Sequence, residues 1–565
     1  MALIPGHYLI AAAVSGIAAH LCAFIHGDWH LHIPQVIFTH CAGYALLLLR
    51  LRYQELSIID SIQASTVLSA CYLLFLFTSI IVYRVFFHRL RNFPGPRLAA
   101  ATKLWSIWET RDSRNHLLMQ RLFEQYGPIV RTAPNELTVF HPEGVELVKG
   151  GKNGTDQYNE KGVWYDLIHP KTSVVFNRNP SENAVRRRPW DRAVSPASLR
   201  SYAANIVAPA AEVLEFVSNA QGEPVNINEL MTGLIFDFMS VIVFGEVSSK
   251  TDAEEQISTL RRLKGALILL APCGDSVWPA LFAFNFLQFL KPVKSWLGLV
   301  ESCRARMLKR MNVRCPTTSD QFMYYSQAFA LEKTSTVDVS GFFLKDFYDS
   351  AGETSLEKRE NALLGNTISA LVAGSDTARA AMIGIFYFLC KNPGNADEIY
   401  EELKDVDEKD STVLAGKPIL NGFIKEALRV APPSMTGLAR IIGPQGLWID
   451  NTFIPPGAQV TAPYYNSHRL PSAFQDPTEF IAERWTSRPD LIKDKRAYAP
   501  WGAGQHICPG KALANVELRY VTALFVKTFK IKFAPGHDPE KFWTDMLDQV
   551  TMQPGEVWCV FEPRN

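Results

Sequence analysis

An excess of charge of either sign is missing from this chain of 565 residues: 57 Lys and Arg oppose 56 Asp and Glu, for a formal net charge of +1. Without a basic bias there is no overall attraction to a polyanion, which argues against nucleic acid as a partner. Cysteine is sparse, with nine at positions 22, 41, 71, 273, 303, 315, 390, 508 and 559 and no CxxC pair among them. That pattern gives no support for a zinc site or a disulfide framework and suits a reducing compartment with mostly buried thiols. Internal repeats, low-complexity tracts and a dinucleotide fingerprint in convincing context are also lacking. The first 27 residues contain no Asp, Glu, Lys or Arg at all.

That charge-free stretch is the first of three apolar runs, the others covering about residues 32–49 and 61–83. Each approaches the roughly 18 to 25 residues that a helix rising about 1.5 Å per residue needs to cross about 30 Å of hydrocarbon. The first is longer than a signal peptide and lacks a basic leading segment. Arg84, Arg89, Arg91 and Arg97 follow the third run, against Arg50 and Arg52 before it, so the positive-inside bias places the remainder on the cytosolic side and, with three spans, the N-terminus in the lumen. In the alternative, the first two runs form one re-entrant or interfacial hairpin. Phe93-Pro94-Gly95-Pro96 cannot continue a helix and reads as a stiff hinge. The expected division is a membrane anchor with up to three transmembrane helices over 1–92 and a catalytic body over 93–565. Helical periodicity dominates that body, with short strand-like runs such as residues 447–454.

The most informative stretch is Trp501-Gly502-Ala503-Gly504-Gln505-His506-Ile507-Cys508-Pro509-Gly510, followed by Lys511-Ala512-Leu513-Ala514. Glycines on both sides of the Cys permit a tight loop without side-chain bulk, as a flat macrocycle against the backbone would require. A thiolate in such a loop can bind ferric iron and favour O–O cleavage. The stretch resembles the cytochrome P-450 pattern F-x-x-G-x-[RH]-x-C-x-G, with Trp501 for the Phe and His506 where Arg is usual. Lys425-Glu426-Ala427-Leu428-Arg429 resembles the family's E-x-x-R element, in which Glu and Arg share a helix face and can pair. Ala482-Glu483-Arg484-Trp485 is similar to the segment that supplies the second Arg, with Ala482 replacing the usual Pro. Residues 158–195, including Lys161-Gly162-Val163-Trp164-Tyr165-Asp166, are similar to fungal secondary-metabolite members.

The resemblance implies a mainly α fold with a small β region, preceded by the transmembrane helices. Haem b would lie between a central helix and the Cys508 loop, with Cys508 as the iron's axial ligand and Trp501, Gly502 and Gly510 shaping the loop. The run at 363–389 is interrupted by Ala373-Gly374-Ser375-Asp376-Thr377-Ala378. Gly weakens a helix and a Thr hydroxyl can bond back to a carbonyl, so a groove could open there for oxygen and water. By resemblance Ala373 and Gly374 would border the haem, Thr377 would assist oxygen activation by a hydrogen bond, and Asp376 would relay protons. Glu426, Arg429 and Arg484 would be structural. Arg187, Trp190, Arg440 and His506 resemble the groups that hold haem propionates, while Asn183 stands where many relatives carry His.

The corresponding substrate positions include Trp164, Tyr165, Phe176, Ser369, Ala370, Ala373, Met435, Thr436, Leu438, Val550 and Thr551. Their largely apolar and aromatic character fits a bulky lipophilic substrate. Residues 266–300 carry Trp278, Phe282, Phe284, Phe286, Phe289 and Trp296 beside Lys291 and Lys294, a composition suited to an interfacial helix touching lipid. The implied reaction is insertion of one O2 oxygen into that substrate, by hydroxylation, epoxidation or multi-step oxidation, in polyketide, terpenoid or alkaloid biosynthesis. Electrons would come from NADPH through a separate reductase, with room for cytochrome b5 as a further partner. Arg186, Arg188, Arg192 and Lys511 could form a proximal docking patch. The implied location is the endoplasmic reticulum membrane, facing the cytosol. The rivals are a haem-thiolate isomerase or peroxygenase that needs no reductase, and a non-catalytic membrane haem-binding protein.

Overall fold

The computed structural model describes residues 4–27, 29–150, 159–166, 173–245, 277–310, 338–350 and 354–564. Residues 266–276 of the aromatic segment, and Tyr158, lie outside the described residues. The three apolar runs form helices α1 (Gly6–Ala19), α2 (Ile33–Tyr53) and α3 (Ile58–Val82). With their continuations, Gly6–Phe24, Trp29–Tyr53 and Ile58–Phe87 are long and apolar enough to cross a membrane, and they suit membrane anchoring. Ser57 caps α3 by accepting the Asp60 amide.

Helices α1 and α3 run parallel: Cys71 Sγ meets the Leu9 carbonyl at 3.5 Å near one end, and His20 Nδ1 meets Ser79 Oγ at 2.8 Å near the other. Gly16 makes the close approach workable, since a Cβ there would lie 2.4 Å from the Tyr72 carbonyl oxygen. Helix α2 returns antiparallel, with Tyr44 bonded to Thr66 and Tyr72 to His40. Phe38, Leu46, Leu74 and Phe77 remain exposed on the outside of the bundle, as lipid-facing side chains would be.

The catalytic body is built from α4 (Pro180–Ala193), α5 (Ile227–Phe244), α6 (Val277–Phe286), α7 (Lys291–Arg310), α8 (Leu356–Lys391), α9 (Pro418–Val430) and α10 (Lys511–Thr528). Helix α5 is also long and apolar enough for a span, but most of it is buried in the main core. The 36-residue α8 is the axis of the body, packed on α5, α9 and α10. Glu357 in its first turn and Lys391 in its last complement the helix dipole, and Pro393 forces the stop.

Among the described residues, four small sheets flank these helices. Strands β1 (Ile129–Ala133), β2 (Glu136–Val139), β3 (Glu160–Lys161), β5 (Arg440–Ile441) and β8 (Gln459–Thr461) form a five-stranded sheet in the order β1-β2-β8-β5-β3, in which only β2–β8 is parallel. Strands β4 (Val225–Asn226), β9 (Phe529–Phe533) and β12 (Trp558–Pro563) form another, and β10 (Leu547–Gln549) pairs with β11 (Thr551–Gln553). The strand expected over 447–454 is instead a hairpin, β6 (Leu447–Ile449) and β7 (Thr452–Ile454). Asp450 takes a left-handed φ of 47° at its turn, a conformation Asp and Asn tolerate better than other side chains.

Packing onto the body begins upstream of the Phe93 hinge. Leu90 is fully buried in the core of the five-stranded sheet, and Arg89 donates to the carbonyls of Pro456 and Gly457 and to Asn135. Arg131 in turn donates to the Arg84 carbonyl at 2.8 Å.

Candidate active site

The Cys508 loop turns on Gly502 and Gly504, with φ of +75° and +66°. A Cβ on Gly504 would lie 2.6 Å from Gly150 Cα, so only glycine lets the loop pack on the π-helical turn Glu146–Gly150. The Cys508 amide donates to the Trp501 carbonyl at 2.9 Å, and Arg187 holds the Ile507 carbonyl at 2.8 Å. Cys508 is enclosed by protein yet keeps part of its surface open, so it faces an internal space. Burial pushes its thiol up, against the opposing pull of the Gly510 and Lys511 amides and the Arg187 and Lys511 charges. A cation at the sulfur would therefore be needed to keep it a thiolate.

Arg187, Arg440 and His506 converge beside this loop, together with two lysines. Lys161 and Arg440 are each 3% exposed, and Lys149 is buried as well. Burial, then Arg440 and Arg187, push Lys161 down to about 6; burial and Arg440 lower Lys149. Burial lowers His506 to about 3, helped by Lys161, Arg440 and Arg187. Arg440 Nε is buried without a hydrogen-bond partner, and among the described residues Lys149, Lys161 and Arg440 have no ion pair. Buried cations this close without an acid are costly unless an anion joins them. Trp190 is close by in sequence, but its indole N–H donates to Asn366 at 3.1 Å and is already engaged. Asn183 spends its amide on the carbonyls of Val174 and Asn177.

Behind the loop, Glu426, Arg429 and Arg484 are completely buried. Arg429 grips Glu426 with two donors at 2.8 and 2.9 Å, and Arg484 reaches the same carboxylate at 3.1 Å. The Ile481 amide and the Trp485 indole complete its set of donors, and the remaining Arg429 donors go to the carbonyls of His468, Pro477 and Glu479. Buried Ala482, standing where the family usually has Pro, starts a 3-10 turn.

On α8, Ala373 is exposed and Gly374 and Thr377 are half-exposed, although the helix around them is largely buried, so a groove opens there. A Cβ on Gly374 would lie 2.4 Å from Met239 Cε. Thr377 donates back to the Ala373 carbonyl at 2.6 Å. Asp376 is held by Arg379 and Gln553, each at 3.2 Å, and by Thr551. Trp164 stacks on Phe176 at 5.5 Å and meets Tyr165 edge-on. Leu438 and Val550 are half-exposed, Val550 at the β10–β11 tip with φ of +69°, a strained conformation for a β-branched residue. Of the expected lining residues Trp164, Tyr165, Ala370 and Met435 are 8%, 5%, 4% and 0% exposed, the last two within the main core. Ser369 is likewise buried, bonded to Ser173.

The family model for cytochrome P-450 matches residues 94–560. The chain belongs to the cytochrome P-450 family. It is 29% identical to cytochrome P-450 monooxygenase phqL of Penicillium fellutanum, over 96% of this chain and 93% of that one. It is 31% identical to cytochrome P-450 monooxygenase sthD of Phaeosphaeria nodorum, over 87% and 99%. It is 28% identical to tryprostatin B 6-hydroxylase of Aspergillus fumigatus, over 96% and 94%. Retinoic acid-bound cyanobacterial CYP120A1 shares the fold, with a TM-score of 0.62 at 18% identity over 80% of this chain and 96% of that one.

A cytochrome P-450 is a haem-thiolate monooxygenase, and the residues present fit that cofactor. An enclosed but open-faced thiol suits a metal, and a buried cation cluster with an unpartnered Arg440 Nε suits two propionates. Sequence reasoning missed Lys149 and Lys161. Lys161 lies in a run quoted for its likeness to relatives, but neither lysine carries a local signal, because only folding brings β3 and the Glu146–Gly150 turn against Arg440.

Proposed function

We propose that this monooxygenase oxidises a bulky lipophilic substrate of secondary metabolism at the endoplasmic reticulum membrane, with residues 93–565 on the cytosolic face and residues 1–92 as anchor. The observation that carries the site assignment is the pairing of the open-faced Cys508 thiol with Lys149, Lys161 and Arg440, buried cations that have no ion pair among the described residues. Haem, when bound, supplies the oxygen-activating chemistry, with Cys508 as its ligand. Arg187, Arg440, His506, Lys149 and Lys161 would hold the propionates, and Trp190 supports the Arg187 helix through Asn366. Ala373 and Gly374 would border the haem at the groove, where Thr377 would supply a hydroxyl and Asp376 would relay protons. Trp164, Tyr165, Phe176, Leu438 and Val550 shape the substrate space. The name tryprostatin B 6-hydroxylase supports a hydroxylation.

The chain has no dinucleotide fingerprint, so its electrons come from a separate NADPH-dependent reductase, with cytochrome b5 as a second donor. Arg188, Arg192 and Lys511 are exposed and support an acidic partner on the proximal side. The decisive test is spectroscopic. The reduced protein with CO should show the long-wavelength Soret band of thiolate ligation, and Cys508→Ala should lose it. A band retained by the alanine variant would remove Cys508 from its role.

A further inference from the structure

The anchor reaches into the catalytic body at one point far from the hinge. Between α1 and α2 lies a 3-10 turn, Trp29–His32, fixed by the Trp29 indole donating to the Ala23 and His26 carbonyls. His30 from this turn is 6% exposed, and its Nε2 lies 2.8 Å from Asp166 Oδ2 across 136 residues of sequence. Asp166 also takes Arg178 NH1 at 2.6 Å, and Arg178 Nε donates to the Lys161 carbonyl. Beside this link Ile33, at the head of α2, is 3% exposed and packs with Val277 and Leu281 of α6 and with Val163.

The receiving turn, Val163–Asp166, holds Trp164 and Tyr165, both buried and both assigned above to the substrate space. Trp164 stacks on Phe176, and the Tyr165 hydroxyl accepts Arg440 NH1 at 2.7 Å. One short turn therefore has Asp166 tied to the anchor, Tyr165 tied to a cation of the propionate cluster, and Trp164 at the substrate space. An apolar substrate dissolved in the bilayer would meet this junction first, since the anchor's first loop and the aromatic α6 share it.

We propose that His30 is a positioning residue: acting through Asp166, it fixes the Val163–Asp166 turn and so sets how bulky a ligand the site accepts, which makes the anchor's first loop part of the substrate entrance. This rests on the reading of Trp164 and Tyr165 as pocket residues. Exposed surface links are commonly weak, but a hydrogen-bonded pair buried on both sides is not screened in that way.

The test uses the full-length protein in phospholipid vesicles, with imidazole as a small probe and clotrimazole as a bulky one, each titrated by its shift of the Soret band. His30→Ala and Asp166→Asn should each change clotrimazole affinity by about fivefold or more, as expected on losing a charge-assisted hydrogen bond, while imidazole stays within about twofold. The double variant should be no worse than the more affected single one, and His30→Gln, whose amide can still donate to Asp166, should recover part of the loss. Hydrogen exchange at the Val163–Asp166 amides should quicken in His30→Ala and not in His30→Gln. Equal clotrimazole affinity with unchanged exchange would overturn the proposal, and so would equal weakening of both azoles, which marks a general structural defect. If imidazole fails to shift even the unaltered protein, the haem reading falls, and the exchange comparison still decides whether His30 holds the turn.

Discussion

Thr551, at the start of the last hairpin strand, donates its hydroxyl to the carboxylate of Asp376 in the middle of α8. Arg379 and Gln553 hold the same carboxylate, and Gln553 Oε1 also accepts Arg379 at 2.7 Å. The acid proposed to relay protons is thus anchored to the β10–β11 hairpin, whose tip, Val550, is among the proposed substrate positions. Among the described residues its neighbour Thr377 is bonded only to its own helix, to the Ala373 carbonyl, beside the groove. Thr377→Ala should therefore fold, retain haem and keep the CO band. A hydrogen bond to a charged group is worth about 1.5–3 kcal/mol, so product formed per NADPH should fall by about tenfold, with peroxide rising in its place. Unchanged coupling would remove Thr377 from oxygen handling.

The Glu426 cluster supports a different outcome. Its carboxylate is completely buried and takes donors from Arg429, Arg484, Trp485 and Ile481. Glu426→Gln leaves two buried guanidinium groups without their counter-charge, a loss of about 3–5 kcal/mol. Haem-loaded protein should become scarce, and what remains should melt well below the unaltered chain. Arg429→Lys should also fail, because one ammonium cannot replace a fork that reaches Glu426 and three carbonyls. Normal haem content in either variant would contradict the cluster's structural role.

These two sites mark where sequence was informative. The Cys508 loop and the Glu426, Arg429 and Arg484 set are local patterns whose chemistry survives in any context. So are the anchor helices, because crossing hydrocarbon demands a continuous apolar run. The hairpin at 447–454 was obscured because Asp450 and Asn451 interrupt an otherwise apolar stretch by only two residues. Met435 and Ala370 lie in the main core, and apolar side chains suit core and pocket equally. His30 and Asp166 were invisible because their meeting depends on where a membrane loop lands on the body.

The lysine cluster makes pH a probe of cofactor contact. Lys161 titrates at about 6 in the fold, below its ordinary 10.5, chiefly through burial and then Arg440 and Arg187. The unfolded chain then holds a proton that the folded chain lacks between those values, so this group's contribution to stability is full above about pH 10.5 and is lost as pH falls toward 6. Haem-depleted protein should accordingly gain stability from pH 7 to 9, and Lys161→Met should flatten that gain. With propionates beside it, Lys161 stays protonated in the fold, so haem-loaded protein should show less of the slope. Melting curves at both pH values, loaded and depleted, test this; identical slopes in all forms would mean that Lys161 does not face the propionates.

The boundary between anchor and catalyst can be set by packing more sharply than by composition. Cutting at the Phe93 hinge removes Leu90 from the sheet's core and Arg89 from Pro456, Gly457 and Asn135. Emptying a buried leucine site costs about 2–5 kcal/mol, a large share of the stability of most domains. A chain of residues 84–565 should therefore bind haem and give the CO band in good yield, and one of residues 93–565 should load haem poorly. Both should still bind lipid vesicles weakly, because Trp278, Phe282, Phe286 and Phe289 are exposed along and just after α6, and each inserted methylene contributes about 0.8 kcal/mol. Both also lack His30, so the haem-loaded 84–565 chain should show the altered clotrimazole affinity of full-length His30→Ala. Equal haem loading by the two truncations would mean that the residues just before the hinge add nothing to the stability of the body. Failure of either to bind vesicles would make the aromatic segment a partner surface of the anchor, and the entrance would then face the three-helix bundle, with lipid excluded from it.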